Sequence, residues 1–219
     1  MTGFEKIKKD EAINTYIKSA DDSLSALGYT EHGHAHVGKV SDTAANILEE
    51  LGYDGHTVEL ARIAGYLHDI GNLVNRVDHS QSGALMAFRI LDKMKFPPED
   101  IARIATAIGN HDEGTGTPVS PVAAALILAD KSDVRRSRVR NPDTLAFDIH
   151  DRVNYSVESA KIEVRRDSRE IELNLTIDTK ISPVMAYFEI FLERMIMCRK
   201  AAEALDLAFK LVINDQHLM

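Results

Sequence analysis

Two carboxylates and several imidazoles occupy positions where the surrounding pattern calls for apolar side chains. Asp130 closes the run Val122-Ala123-Ala124-Ala125-Leu126-Ile127-Leu128-Ala129. His68 and Asp69 stand between Leu67 and Ile70 in a segment that is apolar nearly all round. His111 continues the stripe Ile101, Ile104, Ile108, because 104 to 111 spans two helical turns. His36 precedes Val40 by one turn on its own stripe, and His79 opens the next periodic segment, from which it can reach the same place. A buried, unpaired carboxylate is costly and is normally neutralised or paired. Two of them on separate buried helices call for a shared cation, and a metal ion with imidazole co-ligands is the economical source. Taken singly, a histidine on an apolar face is more often a hydrogen-bonded core residue, and Asp130 has Arg103, His111 or Lys131 as candidate partners. One histidine on each of four helices, with two aspartates, is hard to read as a set of independent accidents.

The elements that must position these groups follow from periodicity. Residues 5–27 read as one polar, amphipathic helix. A second, over 34–51, carries Val37, Val40, Ala44, Ile47, Leu48 and Leu51 on one stripe. A third, over 56–70, is apolar nearly all round and therefore buried, with Gly71-Asn72 expected as a left-handed cap. Asp78 and Gln81 have the spacing of a capping box for a helix running to Met94. Pro97-Pro98 starts another, and after the loop 113–119 Ser120 caps a helix that begins at Pro121. Beyond about residue 150 the period changes to two. Ile162 and Val164, then Ile171, Leu173, Leu175 and Ile177, alternate with polar residues as two strands joined near Asp167-Ser168. A long helix over 183–205 carries Val184, Phe188, Phe191, Met195, Ala202 and Leu205, widened by Met185, Leu192 and Ile196, and a third strand holds Leu207, Phe209, Leu211 and Ile213. The expected fold is mostly α: a helical bundle over 1–150 with a ββαβ, α+β appendage over 151–219. That helix stripe is wider than three strands can cover, so part of it is expected to lie on the bundle or in a homodimer through the appendage.

The order of the blocks carries a resemblance. His36-Val37-Gly38-Lys39-Val40, His68-Asp69-Ile70-Gly71, His79-Ser80-Gln81-Ser82-Gly83-Ala84, Asn110-His111-Asp112 and Ala129-Asp130-Lys131 resemble the HD-domain superfamily of metal-dependent phosphohydrolases. The resemblance covers residues 32–136 and leaves the appendage unmatched. It implies an HD-type bundle in which His36, His68, Asp69 and Asp130 hold one metal. It further implies that Asp69 bridges to a second metal held by His79 and His111. These nitrogen and oxygen ligands suit iron, manganese, zinc, cobalt or nickel. Two departures stand out. Asp112 and Thr117 replace a His and a Tyr of the cyclic-di-GMP-cleaving subgroup, and Asn72 stands where many members carry Lys. The Ala129-Asp130-Lys131…Arg135 block, with a single His79 and His111, is closer to bacterial dinucleoside-tetraphosphate hydrolases.

The implied activity is hydrolysis of a nucleotide or other small phosphoester or phosphoanhydride by metal-activated hydroxide. Asp69 is placed among the catalytic groups. Lys131 and Arg135, one helical turn apart, are expected to contact substrate phosphate. His32, four residues before His36, is expected to act as a leaving-group acid or to support the ligands. Two alternatives share the ligand set: a di-iron oxygenase on the same fold, and a non-catalytic protein in which metal only stabilises a sensor or scaffold. Composition narrows the rest. In 219 residues there are 26 Lys+Arg and 34 Asp+Glu, a net charge of −8, which argues against a nucleic-acid polymer as partner and for a small phosphorylated substrate. The lone Cys198 excludes an internal disulfide framework and a Cys-based zinc site. No run approaches the ~20 apolar residues of a membrane span, and the first residues lack an apolar signal core, so a cytoplasmic location is expected.

Overall fold

The computed structural model describes residues 3–140 and 148–218. The expected first helix is two, α1 (Gly3–Lys9) and α2 (Glu11–Ala26). Asp10 separates them, its Oδ1 accepting from Ala12 N at 2.9 Å and Ile13 N at 3.0 Å, which caps the second helix at the expense of the first. α3 (His34–Glu50) and α4 (Gly55–Leu67) pack face to face, Gly65 lying so close to α3 that a Cβ there would sit 2.7 Å from Ser41 Cα. α4 stops three residues earlier than its apolar pattern suggests. His68 ends it, and a short 3-10 helix, Ile70–Leu73, follows Asp69. Gly71 is not a left-handed cap; among glycines only Gly28 and Gly52 have positive φ. It is small because the first turn of α5 (His79–Lys93) crosses it, and an added Cβ would collide with His79 O and Gly83 N.

Asp78 does not form the expected capping box. It adopts φ 55° with no side-chain cap, because the chain must turn sharply to bring His79 inward. α6 (Pro98–Gly109) and α7 (Pro121–Lys131) start on proline as expected, and Ser120 Oγ accepts from Ala123 N at 3.2 Å. α7 is buried from Val122 to Ala129 and forms the central rod of the bundle. A helix that lacked apolar periodicity, α8 (Ile149–Ser156), is capped by Asp148 and straddles the expected domain boundary.

The appendage has the expected ββαβ order: β1 (Val157–Arg165), β2 (Glu170–Ile177), α9 (Val184–Ala204) and β3 (Ala208–Ile213). A two-residue β4 (Gln216–His217) adds a fourth strand. β1 and β2 are antiparallel with Ile162 opposite Leu173 and Val164 opposite Ile171; β2 and β3 are parallel with Leu173 opposite Leu211. α9 is the crossover, and it packs on α7 as well as on the sheet. Its buried face is Tyr187, Phe191, Met195, Cys198, Ala201 and Ala202. Met185, Leu192 and Ile196, read as widening that face, point to solvent instead. The apolar core is continuous from α3, α4 and α7 through α9 into β2 and β3. Among the described residues no helix is long and apolar enough to cross a membrane.

Candidate metal centre

The six candidate ligands converge at one end of α7. His36 comes from the first turn of α3, His68 and Asp69 from the end of α4, His79 from the start of α5, His111 from just beyond α6 and Asp130 from the last turn of α7. His36 Nε2 lies 3.3 Å from Asp130 Oδ1 and 3.5 Å from Asp69 Oδ2. His68 Nε2 lies 3.4 Å from Asp69 Oδ2 and 3.6 Å from Asp130 Oδ1. On the other side, Asp69 Oδ1 is 3.5 Å from His79 Nε2, which is 3.2 Å from His111 Nε2. Asp69 therefore presents one oxygen to His36 and His68 and the other to His79. Ligand atoms of His36, His68 and Asp130, and separately of His68, Asp69 and His111, lie within 4.8 Å of one another.

Each ring is turned so that Nε2 faces the centre. His36 Nδ1 meets Asp133 Oδ2 at 2.8 Å; His68, His79 and His111 Nδ1 meet the carbonyls of Gly65, Arg76 and Ile108 at 2.9, 3.1 and 2.6 Å. A carbonyl or carboxylate fixes the proton on Nδ1 and leaves the lone pair on Nε2, the arrangement that metal-ligating histidines use. His36 Nε2, His68 Nε2 and Asp69 Oδ2 are buried and have no hydrogen-bond partner. Three orphaned ligand atoms facing one another in a protein interior fit a divalent cation, because leaving each unsatisfied costs about 1–3 kcal/mol.

Charge in the cluster points the same way. Against the effect of burial, His68 holds the Asp69 carboxyl well below its usual range, and Lys131 does the same for Asp130. Burial opposes a charge on His68, yet Asp69 and Asp130 push its pKa up to about 10, so the cluster draws positive charge to itself. Burial, with the charges of His68 and Lys131, pushes His111 down to about 3, and burial lowers His79, so both rings stay neutral and able to ligate.

The two expected phosphate contacts are placed differently. The Lys131 side chain is 5% exposed, its Nζ held by Asp130 Oδ2 at 2.7 Å and Glu113 Oε2 at 3.1 Å. Arg135 does not share a helical face with Lys131, because α7 ends at Lys131 and Arg135 is extended with φ −161°. Its Nε is spent on Asp133 Oδ1 at 2.9 Å and its Nη2 lies 3.3 Å from Glu31 Oε2. His32 stands at the edge of the cluster, its ring 5.5 Å from that of His36. Its Nδ1 meets Thr30 O at 2.7 Å, and burial together with Arg138 holds its pKa well below the usual value. A neutral ring with its proton on Nδ1 offers a lone pair from Nε2, so it is placed to accept a hydrogen bond there rather than to give a proton.

Groups that sequence reasoning passed over complete the surroundings. Asp133, buried among His36, Lys39, Arg135 and Arg138, fixes the His36 ring. Asn72 donates to Asp69 O and Oδ1, both at 2.9 Å. Arg76 Nη1 lies 3.4 Å from His79 Nε2 and 3.9 Å from Asp69 Oδ1. Arg138 is buried, 4% exposed. Arg194, on α9, pairs with Glu113 at 2.8 Å. Asp133 had one signal, its place three residues after Asp130; Arg76 and Arg194 had none. Cys198 is buried, which raises its thiol pKa to about 12 and leaves it inert.

The family model for the HD domain matches residues 33–135, the stretch that contains all six candidate ligands. An uncharacterized protein of Methanocaldococcus jannaschii is 26% identical over 201 residues, covering 81% of this chain and 76% of that protein. That likeness extends well past the stretch that matches the HD domain model. The crystal structure of a predicted HD superfamily hydrolase from an uncultured Thermotogales bacterium shares 25% sequence identity. It covers 62% of this chain and 75% of its own, with a TM-score of 0.45.

Proposed function

We propose that this protein is a metal-dependent phosphohydrolase acting on a nucleotide or another small phosphoester or phosphoanhydride, a reading supported by the match of residues 33–135 to the HD domain family model. The observation that carries the reading is the inward set of His36 Nε2, His68 Nε2 and Asp69 Oδ2, buried without partners. His36, His68, Asp69 and Asp130 would hold one divalent ion, and His79 and His111 would complete a second site with Asp69 between them. Such ions supply Lewis acidity toward a phosphoryl oxygen and lower the pKa of water.

The chain's own groups supply the rest. Asp133 and the carbonyls of Gly65, Arg76 and Ile108 hold the four rings in their ligating tautomer. Asn72 and Lys131 each hold one carboxylate, so that Asp69 and Asp130 keep their orientation as substrate enters. Arg76 lies at the His79 end and offers its guanidinium to a phosphoryl oxygen. His32 Nε2 is placed to accept a hydrogen bond from water or a substrate hydroxyl. Expulsion of a phosphate or nucleotide needs little help from a proton donor, because such leaving groups carry their charge well.

The test has two parts. Metal analysis of the folded protein is expected to find at least one divalent ion per chain, and a panel of phosphomonoesters, phosphodiesters and nucleotides with several divalent metals is expected to give phosphate release. Asp69→Ala is expected to lose both. A folded wild-type protein that takes up no divalent metal, or turnover that survives Asp69→Ala, overturns the reading. Oxygen consumption without phosphate release would assign the same ligands to oxygenase chemistry instead.

A further inference from the structure

Three guanidinium groups from three separate elements border one cavity of about 460 Å³: Arg76 from the turn before α5, Arg138 from the short helix Arg136–Arg138, and Arg194 from α9. His32 lines the same cavity and links it to the ligand cluster through its contact with His36. The arginines approach the cluster from two ends. Arg76 is at the His79 and Asp69 Oδ1 end. Arg194 is tied to the opposite end by a chain of charges, Arg194 to Glu113, Glu113 to Lys131 and Lys131 to Asp130. Arg138 is fixed beside it, Nε on Glu31 O at 2.9 Å and Nη1 on Asp133 O at 2.7 Å.

One phosphoryl group needs the metal ligands and Arg76 and no more. Two further guanidiniums around the same space repel each other, a cost that their partners Asp133 and Glu113 offset and that an anion seated between them would offset further. Two acids, Asp148 and Asp151, also line the cavity. Asp148 is engaged in capping α8, accepting from His150 N at 2.7 Å and Asp151 N at 3.3 Å. The contact of Arg194 with Glu113 uses Nε, and its guanidinium is stacked over the Phe191 ring at 4.5 Å, which holds the fork in a fixed plane. A fixed, planar fork suits two oxygens of one phosphoryl group.

We propose that Arg138 and Arg194 form a second anion subsite that selects substrates bearing a second phosphoryl group beside the scissile one, phosphoanhydrides above monoesters. Both residues lie outside the HD-matching segment, so the C-terminal appendage contributes directly to substrate choice. The proposal rests on the phosphohydrolase reading and deepens it.

Equilibrium binding of inorganic pyrophosphate and of inorganic phosphate to metal-loaded, desalted protein tests it without turnover. Wild type is expected to bind pyrophosphate at least tenfold more tightly than phosphate. Arg194→Gln is expected to lower that ratio about tenfold. Glu113→Gln, which removes a competing carboxylate and leaves the guanidinium, is expected to keep or raise it. Arg199→Gln, on the solvent face of α9, is expected to leave it unchanged. An unchanged ratio in Arg194→Gln, or an equal fall in Arg194→Gln and Glu113→Gln, overturns the subsite. Wild-type protein that takes up metal and binds both anions equally also sinks the subsite while sparing the phosphohydrolase reading. Failure to take up metal sinks that reading first.

Discussion

At the scale of single residues, the candidate ligands and the groups that orient them differ in how visible they are. His36, His68, Asp69, His111 and Asp130 are legible because each interrupts an apolar stripe, where a polar side chain needs a reason to be present. Asp133, Asn72 and Arg76 lie in turns, where polar side chains are ordinary and spacing says nothing about direction. Their effect is still specific. Asp133 Oδ2 meets His36 Nδ1 at 2.8 Å, a charged acceptor where the other three rings have carbonyls. A carboxylate in that place fixes the orientation of the ring, and supports of this kind are worth 10–100-fold in metal affinity. Asp133→Asn keeps the shape and removes the charge. Chelator competition is expected to show divalent metal held about tenfold or more less tightly, with the circular dichroism spectrum retained. Metal affinity equal to wild type would make the pair a matter of packing only. Lys131 shows the opposite error. Its place beside a ligand suggested a phosphate contact, but a lysine between Asp130 and Glu113 is already neutralised and acts by holding the first of them.

At the scale of elements, the helices were legible wherever burial is one-sided or complete, as in α3, α6 and α7. Local geometry imposed by a distant segment was not. The α4–α5 connection is the clearest case. Gly71 and Asp78 both read as ordinary cap residues, yet the first is glycine because the α5 backbone passes across it, and the second takes a left-handed turn with no cap bond. This crossing sets the separation of Asp69 from His79. Gly71→Ala would place a methyl group against His79 O and Gly83 N, neither of which can move without unseating α5. Denaturant unfolding is expected to show a loss of about 2–3 kcal/mol, as for other overpacked sites, and metal uptake is expected to weaken in the same variant. The seam between bundle and appendage carries a pH signature. Against the effect of burial, Lys131 and then Arg194 lower the Glu113 carboxyl to about 2. A carboxyl depressed in the folded state adds stability above its unfolded pKa, and that addition is lost as pH falls through the folded value. Wild type is therefore expected to exceed Glu113→Gln by about 3 kcal/mol at neutral pH, the gap closing between the usual carboxylate range and about pH 2. A gap that stays constant over that window would show the network to be energetically idle.

At the scale of the whole molecule, one apolar core joins the HD-matching bundle to the sheet through α9, while the candidate ligands come from five separate helices and their ends. A cation bound there is thus a cross-link between elements far apart in the sequence, and it binds the folded chain far better than the unfolded one. Ligand at a hundred times its dissociation constant stabilises a fold by about 2.7 kcal/mol. In a chain of this size each kcal/mol moves the midpoint of melting by about 2–4 °C. Stripping metal with a chelator is therefore expected to lower Tm by about 5–10 °C, with recovery on adding back the divalent ion. The Asp69→Ala protein separates the roles of the site. Its carboxylate is gone, so the orphaned imidazoles of His36 and His68 lose the charge that draws a cation, and its Tm is expected to be indifferent to chelator. If that variant stays folded at the Tm of stripped wild type and has lost phosphate release, the cation serves chemistry on a scaffold that stands without it. If it cannot fold at all while wild type turns over no substrate, the six ligands are a structural clasp. A chelator that leaves the wild-type melting curve unmoved would remove the cation from both accounts.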